Sequence, residues 1–346
     1  MRNLLWRADK ERPLAENEVE VSTRATGLNF RDVMYTMGLL PDEAVENGFA
    51  GASLGLEFSG VVSRIGASVK DLQPGDAVMG FGSSCFASDV ITRDDALARM
   101  PEGWTFEAAA TVPTVFFTAY YALKHLADMQ PGEAVLIHGA AGGVGIAAIQ
   151  LARHLGAEVF TTAGNDEKRD FVRLLGADRV FDSRSLDFAD DVLAASSGQG
   201  VDVVLNCLAG EAMRRSLSTL KPFGRFLELG KRDFVENTSV GLRPLKNNIS
   251  YYGIDADQLL TATPELASRP FNEVMSLFRQ GILSPLPSRS LNVRLIADAF
   301  LVMQQARHLG KLVVALGRVK PELAAARHAP LQAGFTAPYC RVVRGA

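Results

Sequence analysis

The sequence predicts an α/β fold in which a doubly wound parallel sheet is inserted between β-rich flanks. Three observations predict it: an alternation of apolar strands and amphipathic helices beyond about Thr111, a glycine-rich turn between the first such strand and its helix, and short alternating segments ahead of both. Parallel strands need crossover connections, and helices supply them while covering both sheet faces. With 346 residues and 47% hydrophobic content the chain can bury two cores. The expected division is residues 1–111 as a β-rich domain, 112–260 as the doubly wound domain, 261–320 as a return to the first, and 321–346 as a tail or linker.

The β-rich reading rests on EVEVSTRATG at 18–27, LGLEFSGVVSRIG at 54–66 and PGDAVMGFG at 74–82, where apolar residues alternate between turns. Asn29–Met37 has helical spacing instead, and Leu39-Leu40-Pro41 is expected to end it, since a proline disfavours helix in the residue before it. Strands are then expected at Glu133–His138, Glu158–Thr162, Arg179–Asp182, Val201–Leu208 and Arg225–Leu229. Helices are expected at Val144–His154, Asp166–Leu175, Phe188–Ala195 and Glu211–Leu220. Ile249–Asp255 can supply a last strand, and a helix near Phe271–Gln280 precedes mixed structure over Leu286–Leu316.

A formal net charge of -3 with dispersed cations excludes a general attraction to nucleic acid or anionic membranes. Met1–Glu11 has no continuous apolar stretch, so neither signal peptide nor membrane span is expected. Cys85, Cys207 and Cys340 are too few for a disulfide framework or a four-thiolate zinc lobe. A cytoplasmic protein acting on a small molecule or another protein is the expectation.

His138-Gly139-Ala140-Ala141-Gly142-Gly143-Val144-Gly145 follows a strand and opens a helix, the context that a dinucleotide fingerprint requires. Gly142 and Gly143 let the backbone approach a pyrophosphate, Gly145 permits close helix–strand packing, and the helix N-terminus offers N–H donors around Val144. His138 reads as a structural strand-end residue. The second strand ends in Thr161-Thr162-Ala163-Gly164-Asn165, without the carboxylate that an NAD enzyme places against the ribose, while Lys168 and Arg184 lie just beyond the second and third strands. Two cations favour a 2′-phosphate and hence NADPH. The competing reading makes both of them solvated surface residues.

The chain resembles the zinc-independent medium-chain reductases, and within them the enoyl reductase domains of polyketide synthases and animal-type fatty acid synthases. The resemblance rests on Gly27-Leu28-Asn29-Phe30-Arg31-Asp32-Val33, Leu54-Gly55-Leu56-Glu57-Phe58-Ser59-Gly60, the glycine loop, Leu205-Asn206-Cys207-Leu208-Ala209-Gly210-Glu211, Glu228-Leu229-Gly230-Lys231 and Ala306-Arg307-His308-Leu309-Gly310-Lys311. It implies a Rossmann sheet inserted in a GroES-like substrate domain, NADPH-dependent reduction of the 2,3 double bond of an enoyl thioester on acyl carrier protein, and other synthase domains or a second copy of the chain as partners. Leu56 stands where zinc-dependent relatives carry a histidine, so no metal is expected and Glu57 reads as structural.

Nicotinamide supplies only the hydride, so an enoyl reductase also needs a proton donor and something facing the enolate oxygen. The resemblance puts Lys231 and Asp255 in these catalytic roles, with a purely structural ion pair as the alternative. Asn206 and Lys311 join Gly142, Gly143, Val144, Gly145, Lys168 and Arg184 as candidate cofactor contacts, and Lys311 has strand capping as its bland alternative. Asn29, Arg31 and Leu40 are candidates for positioning substrate or cofactor, although a helix-capping Asn and an exposed Arg explain the first two equally well. Leu40 occupies the place where the family can carry a proton-donating tyrosine, which leaves Lys231, water or Tyr35 to deliver the proton. A stand-alone quinone or alkenal reductase keeps the fold and changes the substrate. A non-catalytic structural module keeps only the fold.

Overall fold

In the computed structural model, which describes residues 4–8, 11–40, 45, 47–316 and 340–344, the chain divides into two units. One comprises Met1–Thr114, Asp257–Arg279 and Pro285–Ala346, and the other Val115–Ala256 with Gln280–Ser284.

The first unit opens with strands β1 (Leu4–Ala8), β2 (Glu18–Gly27), β3 (Glu57–Ile65), β4 (Ala77–Phe81), β5 (Asp89–Arg93) and β6 (Leu97–Arg99). β2 pairs antiparallel with β3, Thr26 opposite Phe58, and β3 pairs antiparallel with β4. Period-two alternation puts Val19, Val21, Phe58, Val62, Val78 and Val90 into one core. Helix α1 (Phe30–Thr36) leaves the end of β2 with Asn29 as its N-cap. It stops earlier than the sequence suggested. Gly38 adopts φ +69° and donates its N–H to Tyr35, and Leu39 donates to Met34. A left-handed glycine ends the helix before proline has any say, and Pro41 lies outside the described residues.

In the second unit strands β7 (Ala134–Ile137), β8 (Glu158–Ala163), β9 (Arg179–Asp182), β10 (Val201–Asn206), β11 (Leu220–Glu228) and β12 (Ser250–Gly253) form a parallel sheet in the order β12-β11-β10-β7-β8-β9. Helices α2 (Gly143–His154), α3 (Asp166–Leu174), α4 (Phe188–Ala195) and α5 (Glu211–Leu217) make the crossovers. The doubly wound architecture is therefore as the alternation dictated. Leu136, Phe160, Val204 and Phe226 from four strands pack with Phe188, Val192, Met213 and Leu217 from α4 and α5. The strand order reverses between β7 and β10, and open α/β sheets bind ligands beyond the carboxyl ends at such a switch point.

Back in the first unit come α6 (Pro264–Arg279), β13 (Ser288–Asn292), α7 (Ile296–Gln304), β14 (Lys311–Ala315) and β15 (Cys340–Arg344). α6 begins well before Phe271, because Pro264 suits a first helical position. β14 pairs with β2, and β15 pairs antiparallel with β1, Trp6 opposite Val342. The segment read as tail or linker thus contains a strand, and residues 317–339 lie outside the described residues. No helix among the described residues is long and apolar enough to cross a membrane.

Candidate active site

The glycine loop sits at the switch point. A Cβ on Gly145 would stand 2.6 Å from both Ala140 Cα and Gly139 O, so only glycine lets α2 close on the loop. Gly139 has φ +62°, and a Cβ there would meet Cys207 Sγ at 2.9 Å, which brings the ends of β7 and β10 side by side. Gly142 is the N-cap of α2 and donates to Gly139 O at 2.9 Å. Bare backbone at a helix N-terminus fits a dinucleotide pyrophosphate. His138 does not face this crevice as a base. It is buried, with Nδ1 2.8 Å from Thr162 Oγ1 and Nε2 2.8 Å from Ser216 Oγ, and burial lowers its pKa to about 3.

Beyond β8 the structure brings the two expected cations together. The Arg184 side chain lies over Gly164, where a Cβ would be 3.3 Å from its Nε. Lys168 is half-buried, and its pKa is lowered by burial and then by the field of Arg184. The neighbouring Arg169 is engaged otherwise, by Asp166 at 2.5 Å and Asp182 at 3.4 Å. Asp166 and Asp182 thus engage Arg169, while Lys168 feels the positive field of Arg184 and the opposing field of Glu167.

At the ends of β11 and β12, Lys231 Nζ lies 3.2 Å from Asp255 Oδ2 and donates to Ile254 O at 2.8 Å. Both side chains keep about a third of their surface exposed, 32% and 29%. Asn206, at the end of β10, is fully enclosed, and its amide donates to Leu208 O and to Glu228 Oε2 at 2.8 and 2.6 Å. Glu228 Oε1 accepts from Gly230 N at 2.6 Å. Burial pushes the Glu228 carboxyl up to about 7 against these donors. Sequence reading passed over Glu228, although an acid inside the apolar run Phe226-Leu227-Glu228-Leu229 was a visible signal.

The remaining candidates belong to the first unit. Lys311 is 3% exposed, with its ammonium 2.5 Å from Glu57 Oε1 and 2.7 Å from Asn29 Oδ1. Asn29 Nδ2 donates to the same Glu57 oxygen at 2.8 Å, and Thr114 N donates to the other at 2.8 Å. Arg31 donates to Gly51 O and Ser53 O and pairs with Asp257 at 3.3 Å. Asp32 is wholly buried, accepts from Gly55 N and Asn29 N, and is pushed up to about 6 by burial. Asp257 and Asp32 are further members that spacing alone did not single out. The Tyr35 hydroxyl donates to Ala52 O at 3.1 Å. Leu40 is half-buried in the loop after α1. Among the described residues no group of three or more His, Cys, Asp or Glu is placed to hold a metal ion.

Residues 15–125 match the alcohol dehydrogenase GroES-like domain and residues 143–268 the zinc-binding dehydrogenase domain. The chain is 46% identical over 306 residues to the pikromycin polyketide synthase component PikAII of Streptomyces venezuelae, covering 88% of the chain and 8% of that protein. It is 41% identical over 317 residues to the highly reducing polyketide synthase ZEA2 of Gibberella zeae, covering 90% of the chain and 13% of the synthase. It thus spans only a small part of either relative. Among solved structures, the CurK enoyl reductase is similar with a TM-score of 0.80 at 39% identity, covering 89% of this chain and 93% of that one.

Proposed function

The chain belongs to the medium-chain dehydrogenase/reductase superfamily, with the enoyl reductase domains of polyketide synthases, and from that premise we propose that it reduces the 2,3 double bond of an enoyl thioester carried on acyl carrier protein, with NADPH as reductant. The superfamily works with a nicotinamide dinucleotide. The observation that carries the reading is the Lys231–Asp255 pair at the carboxyl edge of the same parallel sheet whose switch point holds the glycine loop.

When bound, the dinucleotide supplies the hydride. Gly142, Gly143, Val144 and Gly145 would hold its pyrophosphate, and Lys168 with Arg184 would take a 2′-phosphate. Lys231 carries three donors, and Asp255 and Ile254 O engage two of them. The third is left for the thioester oxygen or for proton delivery at Cα. Asp255 pairs with the lysine and fixes its direction. Asn206 and Lys311 act through the carboxylates they hold, Glu228 and Glu57, while Asn29 and Arg31 fix the segment from Gly51 to Glu57 against α1. Other synthase domains are the proposed neighbours.

NADPH oxidation with crotonyl thioester on carrier protein, compared with simple quinones, tests this. Thioester turnover that exceeds quinone turnover supports the proposal. Quinone reduction without thioester reduction would hand the assignment to the stand-alone quinone reductase.

A further inference from the structure

Two loops leave neighbouring strand ends beside the glycine loop: Cys207–Gly210 after β10, and Leu229–Arg232 after β11, which carries Lys231. Two carboxylates lace them together. Glu228 accepts from Asn206 Nδ2 on one side at 2.6 Å and from Gly230 N on the other at 2.6 Å. Asp233 reaches back to accept from Gly210 N at 2.9 Å, where Gly210 holds φ +65°. The Asn206 side chain closes its own loop on Leu208, through Leu208 O at 2.8 Å and Leu208 N at 3.2 Å. Gly230 leaves no slack, since a Cβ there would stand 2.7 Å from Glu228 Oε1. Lys231 is the next residue. We propose that Glu228 is a positioning residue of the reductase, which in its ionised form joins the Asn206 and Gly230 loops and so fixes where the Lys231 ammonium stands.

The inference rests on the reductase reading above and deepens it, giving the carboxylate that Asn206 holds a task of its own. Both oxygens of Glu228 accept from N–H donors, and the Tyr251 hydroxyl also hydrogen-bonds the carboxylate, surroundings that favour the ionised form. Protonation removes the charge from the acceptor and so weakens the bonds that tie it to the two loops. The charged and titratable groups around it are Lys231 and Asp233 on the following turn, Cys207 at the end of β10 and Tyr251 on β12. Burial raises Glu228 to about 7, Asp233 adds to that, and Lys231 opposes it. Reduction therefore weakens as pH falls through neutrality, because protonation unlaces the two loops.

The test follows turnover of NADPH with the N-acetylcysteamine thioester of crotonate as a function of pH, for the unmutated chain and for Glu228→Gln and Asp233→Asn. An unmutated chain without thioester reduction would overturn the reductase reading itself, and this inference with it. Given activity, kcat is expected to fall on the acid side of neutrality. Glu228→Gln should lower kcat about tenfold to a hundredfold at high pH, as a displaced catalytic group does, shift KM for NADPH much less, and abolish the acid limb. A folded Glu228→Gln protein that keeps the acid limb of the unmutated chain would overturn the proposal. Should that variant fail to fold, Asp233→Asn decides. It keeps an acceptor for Gly210 N and removes a negative charge, so the acid limb should move to lower pH, and a limb that stays in place refutes the assignment.

Discussion

Burial lowers the Lys168 pKa first and the field of Arg184 lowers it further, so an anion such as a 2′-phosphate is favoured between the two cations. NADPH should therefore be preferred to NADH. Replacing either residue by alanine should cost about 1.5–3 kcal/mol in NADPH binding, roughly tenfold to a hundredfold in Kd, with little change for NADH. Fluorescence titration of both dinucleotides measures this, and equal affinities in the unmutated chain would refute it. A second residue-scale expectation concerns Lys231. Its pair with Asp255 is too exposed to behave as a buried ion pair, so losing it should cost only about 1 kcal/mol of stability. A proton donor would cost far more in rate: Lys231→Ala should lower the chemical step about 10²- to 10⁴-fold, with an almost unchanged Tm. Single-turnover kinetics beside thermal unfolding separates the two roles, and a folded Lys231→Ala protein with full turnover would remove the lysine from catalysis.

At the scale of elements, the strands and helices of the parallel sheet were legible because each follows a single period, apolar runs for buried strands and 3.6-residue spacing for helices. What escaped was set by competition or distance. Leu39-Leu40-Pro41 was a sound stop signal, but Gly38 acts earlier through its left-handed backbone. β15 has a partner, β1, at the other end of the chain, and no local pattern announces such a pairing. The site divides likewise. The glycine loop and the cations follow from motif and spacing and the Lys231–Asp255 pair from the family resemblance, whereas the ties of Glu228, Asp233 and Asp257 depend on which loops the fold brings together. The close approach of α2 to the glycine loop yields its own prediction. Gly145→Ala forces a Cβ against backbone atoms that cannot step aside, so α2 must lift, at about 1–3 kcal/mol by the usual cost of overpacking. Both Tm and NADPH affinity should fall, and a variant with wild-type values of both would show that the helix has room to spare.

At the scale of the whole molecule, Leu56 stands in place of a histidine ligand, and the Glu57 carboxylate beside it is already satisfied by Lys311, Asn29 and Thr114. Turnover should survive prolonged chelation, and loss of activity restored by zinc would contradict that. Acid stability offers another test. His138 has its folded pKa lowered from 6.5 to about 3, so the unfolded chain binds more protons than the fold in that window, and stability drops as pH falls through it. Asp32 and Glu228, both raised by burial, act in the opposite sense, so the comparison must be between the unmutated chain and His138→Gln. Urea midpoints of the two should converge as pH falls from 6.5 toward 4, and parallel curves would mean that His138 does not titrate with unfolding. The imidazole is held at both of its nitrogens. Nδ1 faces Thr162 Oγ1 at 2.8 Å, and Nε2 faces Ser216 Oγ at 2.8 Å, which itself lies 2.7 Å from Ala212 O. β7, β8 and α5 are thereby joined through one ring by hydrogen bonds running between Thr162, His138, Ser216 and Ala212, and its nitrogen chemical shifts would report whether these three elements stay together.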